Sequence, residues 1–284
     1  MMSAVGQYNV LERLGEGALG DVFRARDTRT GRTVALTVPP PEMIASPARR
    51  DRFLQDARRA ATLNHPNIAM LFDVVEQDDR CYLAYEFAAG LSLGEEMGGA
   101  AVDVSQALHF AAHIADALAE GHANGIVHGD VRPDTIVVTP KGSVKVLNFG
   151  MTTWTEGAVA RAKAATAPGS LDREETLVTG YLSPEQALGA TVDSRSDLFA
   201  LGVVLYQMLT GRQPFAAATA DVTITNLLRQ TPSRPSAVNP DLPAELDGIV
   251  MKLLAKEPDA RYQTAAAIAT DIRLVAAELD RRMN

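Results

Sequence analysis

The chain has 284 residues, 46% of them hydrophobic and 22% charged, which is the composition of a globular protein long enough for one large domain or two lobes. Its net charge of -8 opposes a polyphosphate backbone, so nucleic acid is not expected as a partner. The single cysteine excludes a disulfide within the chain, and the most apolar predicted helix, near residues 199–209, is too short to cross a bilayer. We therefore expect a cytoplasmic location and no membrane partner.

The first third of the sequence predicts a small sheet. Short β-branched runs separated by turn residues are typical of strands, and they fall at 8–14, 21–27, 32–38, 68–76 and 80–87. Apolar residues at helical spacing predict one helix at about 47–63, which Asn64-His65-Pro66 ends. Residues of about 8–88 are thus expected to form a β-rich lobe with one main helix.

From about residue 103 the pattern changes to long helices. We predict them at about 103–121, 197–209, 221–230, 243–254 and 265–279, with two short strands at 135–138 and 143–147 between the first two. The expected fold class is α+β, in which a small β-rich lobe precedes a larger, mostly helical lobe over about 89–279. Together the two lobes are expected to form a single domain over residues 1–284.

A glycine-rich run lies between the first two predicted strands. Gly15-Glu16-Gly17-Ala18-Leu19-Gly20-Asp21-Val22 fits the pattern Gly-x-Gly-x-x-Gly-x-Val, in which the three glycines let backbone amides approach phosphate oxygens. A tight hairpin without a ligand would also account for such a run. Because a strand follows it instead of a helix, the run does not fit a dinucleotide-binding fingerprint.

Further motifs follow the glycine run in a fixed order. They are Val34-Ala35-Leu36-Thr37, Asn64-His65-Pro66, His128-Gly129-Asp130, Asn148-Phe149-Gly150, Ser183-Pro184-Glu185 and Asp259-Ala260-Arg261. With these motifs in this order over about residues 8–279, the sequence resembles the bacterial, eukaryotic-type (Hanks-type) Ser/Thr protein kinases. The resemblance implies the two-lobed protein-kinase fold, with ATP bound between the lobes.

The resemblance also implies a role for most of the site residues. Asp130 matches the catalytic base, Glu185 and Arg261 match an ion pair of the helical lobe, and Asp197 matches the aspartate that anchors the catalytic loop. Apolar walls, a bulky gate residue and the connection between the lobes would form the adenine slot. These residues, with the glycines of the loop, are Gly15, Gly17, Gly20, Val22, Ala35, Tyr85, Glu86, Ala88 and Val137.

The residues that handle charge in this family are altered in this chain. Thr37 stands in place of the lysine that grips the α- and β-phosphates, and Asp56 stands in place of the helix glutamate that pairs with that lysine. Thr135 and Asn148 replace the asparagine and the aspartate that hold magnesium. Among the phosphate- and metal-handling positions, Asp130 is the one that is retained.

These replacements bear on catalysis. Losing one preorganised charge-stabilising group lowers a rate by about 100- to 1,000-fold, although such losses do not simply multiply. The sequence therefore favours a pseudokinase that is not an enzyme. It would act by binding, as a scaffold or an allosteric signalling module, on a protein partner such as an active kinase or a signalling complex. It would bind ATP weakly and without magnesium, and no metal site is expected.

The alternative interpretation is an enzyme. In this hypothesis the chain is a low-activity or unconventional Ser/Thr protein kinase that uses Asp130 as its base and an arginine for the phosphate contact.

A metal site could also be considered at His109 and His113, which lie four residues apart on a predicted helix. That spacing can seat two ligands, but no third ligand lies nearby in the sequence, so we predict no metal there.

Overall fold

The structure, a computed structural model, describes residues 4–154 and 178–283. Its first lobe is a six-stranded antiparallel sheet with the strand order β1-β2-β3-β4-β6-β5. The strands are β1 Ala4–Val5, β2 Tyr8–Gly17, β3 Gly20–Asp27, β4 Thr33–Val38, β5 Leu71–Gln77 and β6 Arg80–Glu86. A two-residue turn joins β2 to β3, so the glycine run forms the tip of a tight hairpin.

One long helix, α1 (Pro47–Ala60), packs on this sheet. The Ser46 side chain caps its start by accepting the backbone N–H of Arg49. Its apolar face, which includes Phe53, is buried against the sheet beside Leu83. The helix is therefore held by its packing on the strands that also line the space between the two lobes.

The second lobe is mostly helical. Its helices are α2 Leu93–Met97, α3 Val104–Ala123, α4 Pro184–Ala187, α5 Ser194–Thr210, α6 Ala220–Arg229, α7 Pro235–Val238, α8 Glu245–Leu253 and α9 Ala265–Met283. A three-stranded antiparallel sheet of β7 Leu91–Ser92, β8 Ile136–Val138 and β9 Val144–Val146 accompanies them. Most residues of α5 are buried, and its sequence is apolar on all sides because it forms the centre of the core.

The strand predicted at 68–76 begins only at Leu71. The residues before it contact the other lobe, since Ile68 pairs with Val146 of β9 and the Ala69 N–H donates to the Val146 carbonyl at 2.9 Å. A run of apolar residues does not distinguish one continuous strand from a bridge followed by a strand, because both bury the same side chains. This segment joins the two lobes by backbone hydrogen bonds.

Helix α2 was not predicted from the sequence. A capping box starts it, in which the Ser92 side chain accepts the Glu95 N–H and the Glu95 carboxylate accepts the Ser92 N–H. Five residues are too few to show a helical period. The long helices agree better, although the one predicted at 47–63 ends at Ala60 and the one predicted at 243–254 begins at Glu245.

The expected fold class, α+β with a β-rich lobe followed by a helical lobe, is confirmed. The predicted change of lobe near residue 88 falls in the link between β6 and β7. Among the helices of residues 4–154 and 178–283, none combines the length and the apolar character needed to span a membrane.

Candidate active site

A cavity of about 600 Å³ lies between the two lobes. The predicted adenine walls Val22, Ala35 and Val137 all line it, on β3, β4 and β8 respectively. The gate and link residues Tyr85, Glu86 and Ala88 line it as well. The structure thus brings together six residues that the sequence assigned to one slot, although they come from four separate strands and a link. The volume suits a ligand of nucleotide size.

The glycine loop covers one side of this cavity through Gly17, whereas Gly15 and Gly20 are not part of its lining. Gly20 has a φ of +111°, and a Cβ there would lie 2.3 Å from the Val38 carbonyl oxygen, so only glycine fits. Leu19, at the tip of the loop, is 1% exposed and belongs to the same buried cluster as Phe53 of α1. The sequence did not predict that the loop tip packs into the first lobe.

The link between the lobes is fixed by an ion pair that the sequence did not indicate. The Lys145 Nζ of β9 lies 2.6 Å from a Glu86 carboxylate oxygen, and both side chains are largely buried. Glu86 also donates its backbone N–H to the Met70 carbonyl at 2.7 Å. Because the Glu86 carboxylate is paired with Lys145, a ligand in the cavity would meet the backbone of this link.

Tyr85 occupies the gate position at the back of the cavity. Its ring belongs to the buried cluster that also contains Phe53 and Leu71. The hydroxyl is buried and finds no hydrogen-bond partner among residues 4–154 and 178–283. Burial raises the pKa of the Tyr85 hydroxyl, which therefore stays protonated.

The loop that carries Asp130 is anchored by Asp197 of α5. The Asp197 carboxylate accepts the backbone N–H groups of His128 at 2.8 Å and Gly129 at 2.6 Å, and it lies 2.7 Å from the His122 ring nitrogen Nε2. Asp197 itself is 1% exposed. This confirms the predicted contact of Asp197 with the catalytic loop, which is rigid at this point because a buried carboxylate holds two successive amides.

His128 supports Asp130 directly. The His128 Nδ1 accepts the Asp130 backbone N–H at 3.2 Å, while Nε2 lies 2.9 Å from the Leu147 carbonyl oxygen. A neutral imidazole with its proton on Nε2 satisfies both contacts. The ring also meets the edge of Phe149 at a centroid distance of 5.0 Å. Asp130 is thereby placed relative to the segment that carries Asn148.

Arg132 provides a cation beside the base position. Its Nε lies 3.4 Å from an Asp130 carboxylate oxygen, which is an ion-pair distance without hydrogen-bond geometry. Its Nη1 pairs with Asp134 at 2.5 Å. The Arg132 side chain is 12% exposed and lines the cavity, so a guanidinium flanked by the Asp130 and Asp134 carboxylates borders the cleft.

Thr135 and Asn148 lie together on the wall of the cavity, as the resemblance implied. The Thr135 hydroxyl lies 3.0 Å from the Asp130 carbonyl and 2.9 Å from the Arg132 carbonyl, so it closes the loop on itself. Asn148 has a φ of +58°, a left-handed conformation that asparagine and aspartate tolerate. Asn148, which replaces the metal-binding aspartate of the family, thus lines the same cavity as Thr135.

Thr37 and Asp56, which replace the strand lysine and the helix glutamate, have separate surroundings. Thr37 lies on β4 beside Leu83 of β6, is buried, and lines the cavity. The Asp56 carboxylate instead accepts the indole N–H of Trp154 at 2.9 Å. Trp154 is a residue that sequence reasoning missed, because nothing near it in the chain marks it as part of the site.

The residues present are a poor fit for magnesium. A hard divalent cation prefers carboxylate oxygens, whereas Asn148 offers a neutral amide and the Thr135 hydroxyl is engaged with the loop. Within the described part of the chain, no group of three or more His, Cys, Asp or Glu side chains is placed to hold a metal ion. The rings of His109 and His113 lie 4.1 Å apart without such a group around them.

A glycine loop beside a nucleotide-sized cleft, with an aspartate in a loop anchored by Asp197, is the arrangement of a protein-kinase domain. The family model described as "Protein kinase domain" matches residues 8–272, and the chain belongs to this family.

Bacterial relatives aligned over 94% of this chain have kinase names. The probable serine/threonine-protein kinase SCO3848 of Streptomyces coelicolor is 35% identical over 275 residues. The serine/threonine-protein kinase PknB of Mycolicibacterium smegmatis is 37% identical over 272 residues, and PrkC of Bacillus subtilis is 34% identical over 272 residues. The chain spans 39% to 42% of the length of these relatives.

Solved structures agree with the fold. A crystal structure of the PknI kinase domain of Mycobacterium tuberculosis matches with a TM-score of 0.74 and 27% identity, covering 98% of this chain and 99% of that chain. A second crystal structure of the same domain matches with a TM-score of 0.72, also at 27% identity, over 95% of this chain and 96% of that one.

The expectation that this chain is not an enzyme is wrong. Its relatives at 34% to 37% identity are named serine/threonine-protein kinases, and nothing in these matches indicates a loss of catalysis. The label pseudokinase gains no support from them. The expectation came from the replacements at Thr37, Thr135 and Asn148. The cavity between the lobes and the aspartate at position 130 are both retained.

Proposed function

We propose that the chain is a Ser/Thr protein kinase domain of low activity, which transfers the γ-phosphoryl group of ATP to a protein hydroxyl with Asp130 as the base. The observation that carries this proposal is the placement of Asp130. Its loop is fixed by Asp197 through two backbone amides and lies beside a cavity of nucleotide size. Phosphoryl transfer depends mostly on positioning and charge stabilisation, so a fixed base beside a preformed cleft supports it.

The adenine of ATP would lie in the apolar slot between Val22 and Ala35 above and Val137 below. The glycine loop would bring backbone amides toward the phosphates. Asp130 would accept the proton of the substrate hydroxyl while the oxygen of that hydroxyl bonds to the γ-phosphorus. The bond from that phosphorus to the bridging oxygen would break, and ADP would leave.

Arg132 would supply positive charge to the transferred group. A guanidinium stays charged at any ordinary pH and can bind two phosphate oxygens at once. Arg132 already lines the cavity and lies within 3.4 Å of Asp130, so one side chain borders both the base and the phosphate space. Arg132 would thus make the arginine–phosphate contact that the low-activity hypothesis requires.

The rate should be low because several charge-handling groups are replaced. Each such group contributes about 100- to 1,000-fold in rate, and ordinary protein kinases turn over at about 1 to 100 per second. Since losses within one unit are not additive, we expect a turnover of about 0.001 to 1 per second. No step is assigned to magnesium, because its ligand residues fit the ion poorly.

Transfer of radiolabelled phosphate from ATP tests the proposal. The chain is incubated with ATP and with a generic Ser/Thr-rich substrate, with magnesium, with manganese and with a chelator. Asp130→Asn is the decisive variant, because it keeps the size of the side chain and removes the base. Asp221→Asn, which removes one negative charge from the exposed start of α6, is the matched control.

Slow labelling of Ser or Thr that Asp130→Asn abolishes and Asp221→Asn preserves would support the proposal. Labelling that persists unchanged in Asp130→Asn would contradict the role of Asp130 as the base. No labelling above the Asp130→Asn background, in a chain that binds ATP, would overturn the proposal.

A further inference from the structure

Trp154 is the single tryptophan of the chain, and it lies at the end of a short 3-10 turn, Thr152–Trp154, just beyond Asn148-Phe149-Gly150. Its indole N–H donates to the Asp56 carboxylate at 2.9 Å. Asp56 lies on α1 at the position where the family has a glutamate paired with a strand lysine. In this chain that strand position is Thr37, which has no charge to offer.

The indole contacts one face of α1 at three successive turns. Its ring meets Phe53 edge-on at a centroid distance of 5.3 Å, and the Arg49 guanidinium lies 5.8 Å from its centre. Residues 49, 53 and 56 follow the spacing of one helix face. Arg49 also donates to the Met43 carbonyl, which fixes the guanidinium near the ring. Trp154 is therefore attached to α1 by a hydrogen bond, an aromatic contact and a cation–π contact.

Trp154 is also joined by backbone hydrogen bonds to the segment that carries Asn148 in the cavity wall. The backbone N–H of Trp154 donates to the Met151 carbonyl at 3.0 Å, and the backbone N–H of Met151 donates to the Asn148 carbonyl at 2.9 Å. Met151 is fully buried, in the cluster that also contains Phe53 and Leu19. A shift of Trp154 relative to α1 would thus be felt both at Asn148 and at the tip of the glycine loop.

We propose that Trp154 is the positioning residue of helix α1, and that its hydrogen bond to Asp56 takes the place of the strand-to-helix ion pair. Through α1 and Leu19, this contact sets how tightly the cavity holds ATP. The consequence for ATP rests on the proposed function, whereas the anchoring of α1 does not. An acceptor oxygen at position 56 is essential to the proposal, because phenylalanine in place of Trp154 would supply the packing equally well.

The fluorescence of Trp154 tests the anchoring without any assay of activity. Asp56→Ala removes the acceptor and should shift the emission to longer wavelength and raise quenching by acrylamide about twofold or more, because water reaches the freed indole. Asp56→Asn keeps an acceptor oxygen and should restore the wild-type spectrum. Asp51→Ala, on the exposed face of the same helix, is the matched control and should leave the spectrum unchanged. An unchanged spectrum in Asp56→Ala would overturn the proposal.

Binding of a fluorescent ATP analogue tests the coupling to the cavity. A hydrogen bond to a partly exposed carboxylate predicts that Trp154→Phe and Asp56→Ala each raise the Kd about 3- to 10-fold. The double variant should be no weaker than the weaker single variant, since both remove the same contact. Additive effects, or a Trp154→Phe variant that binds like wild type, would contradict the proposal. If Asp56→Ala does not fold, the Kd of Trp154→Phe alone tests the coupling, because this variant keeps the ring packing and loses only the indole N–H.

The two proposals fail in different ways. If no Asp130-dependent labelling is observed, the proposed kinase activity is overturned, and the fluorescence result is unaffected. If the emission spectrum of Asp56→Ala is unchanged, the proposed anchoring of α1 by Trp154 is overturned, and the proposed kinase activity is unaffected.

Discussion

The guanidinium of Arg261 contacts both oxygens of the Glu185 carboxylate at 2.8 Å inside the helical lobe, where the Arg261 side chain is fully buried. The Ser196 hydroxyl adds a third hydrogen bond to Glu185. Two buried charges held this way stabilise the fold only as a pair, because either one alone is left without a counter-charge in a poorly solvated place. The sequence predicted this ion pair from motifs 76 residues apart.

Arg261→Ala should destabilise the protein by about 3 to 5 kcal/mol, since it leaves the Glu185 carboxylate buried and unpaired. Urea unfolding monitored by circular dichroism measures the change. Arg273→Ala is the control: its partner Asp116 is partly exposed and Arg273 is half exposed, so a change of at most about 1 kcal/mol is expected. Equal effects of the two substitutions would contradict this account.

The same pair predicts an acid dependence. Burial alone would raise the pKa of the Glu185 carboxyl, but hydrogen bonds from Arg261 and Ser196 outweigh it and hold the pKa below its ordinary value of 4.5. The group therefore adds stability above pH 4.5, and this stability is lost as the pH falls below that value. Thermal unfolding between pH 3 and 7 should show a shallower acid decline in Glu185→Gln than in wild type; identical slopes would refute the assignment.

Gly121 of α3 lies directly against Phe149. A Cβ added at Gly121 would lie 2.2 Å from two ring carbons of Phe149, which is buried and has no room to move. Gly121→Ala should therefore destabilise the fold by about 1 to 3 kcal/mol, although alanine is the better helix former. Gly248→Ala of α8 is the control, because its Cβ would meet nothing within 4 Å, and a gain of about 0.5 to 1 kcal/mol is expected. Chemical denaturation separates the two signs.

Asn148→Asp should raise the rate of phosphate transfer and make it depend on magnesium. Aspartate tolerates the φ of +58° found at Asn148, so the substitution restores a carboxylate at little conformational cost. Because Thr37 and Thr135 remain replaced, a gain of about 10- to 100-fold is expected rather than the full effect of one catalytic group. Asn9→Asp on the exposed side of β2 is the matched control. A rate that stays independent of magnesium would contradict the expectation.

Tyr85→Phe should stabilise the protein by about 1 kcal/mol, because it removes a buried hydroxyl that has no partner among the residues described. Tyr262→Phe should have the opposite effect, since the Tyr262 hydroxyl donates to Asp271 at 2.8 Å. Thermal unfolding of the two variants beside wild type measures both. Destabilisation by Tyr85→Phe would mean that the hydroxyl has a partner in solution.

The amino-acid sequence was sufficient for much of the site. The order of the motifs predicted the two lobes, the apolar walls Val22 and Ala35, and the buried contact of Asp197 with the loop of Asp130. The resemblance of these motifs to those of protein kinases implied the walls and the contact of Asp197, and a buried aspartate does need amide donors of this kind. The inference of an inactive protein went further than such constraints allow.

By itself, therefore, the sequence determined the fold class and several residues that line the cavity, because both depend on residue types within short motifs. The role of Asp130 as the base stays a prediction. The tertiary structure decided which distant side chains meet. Lys145 pairs with Glu86 across 59 residues in the sequence, Trp154 binds Asp56 across 98, and Leu19 packs into the buried cluster that contains Phe53 of α1. The physical reason is that such contacts depend on how the two lobes and α1 pack together, and no local pattern of residues records that placement.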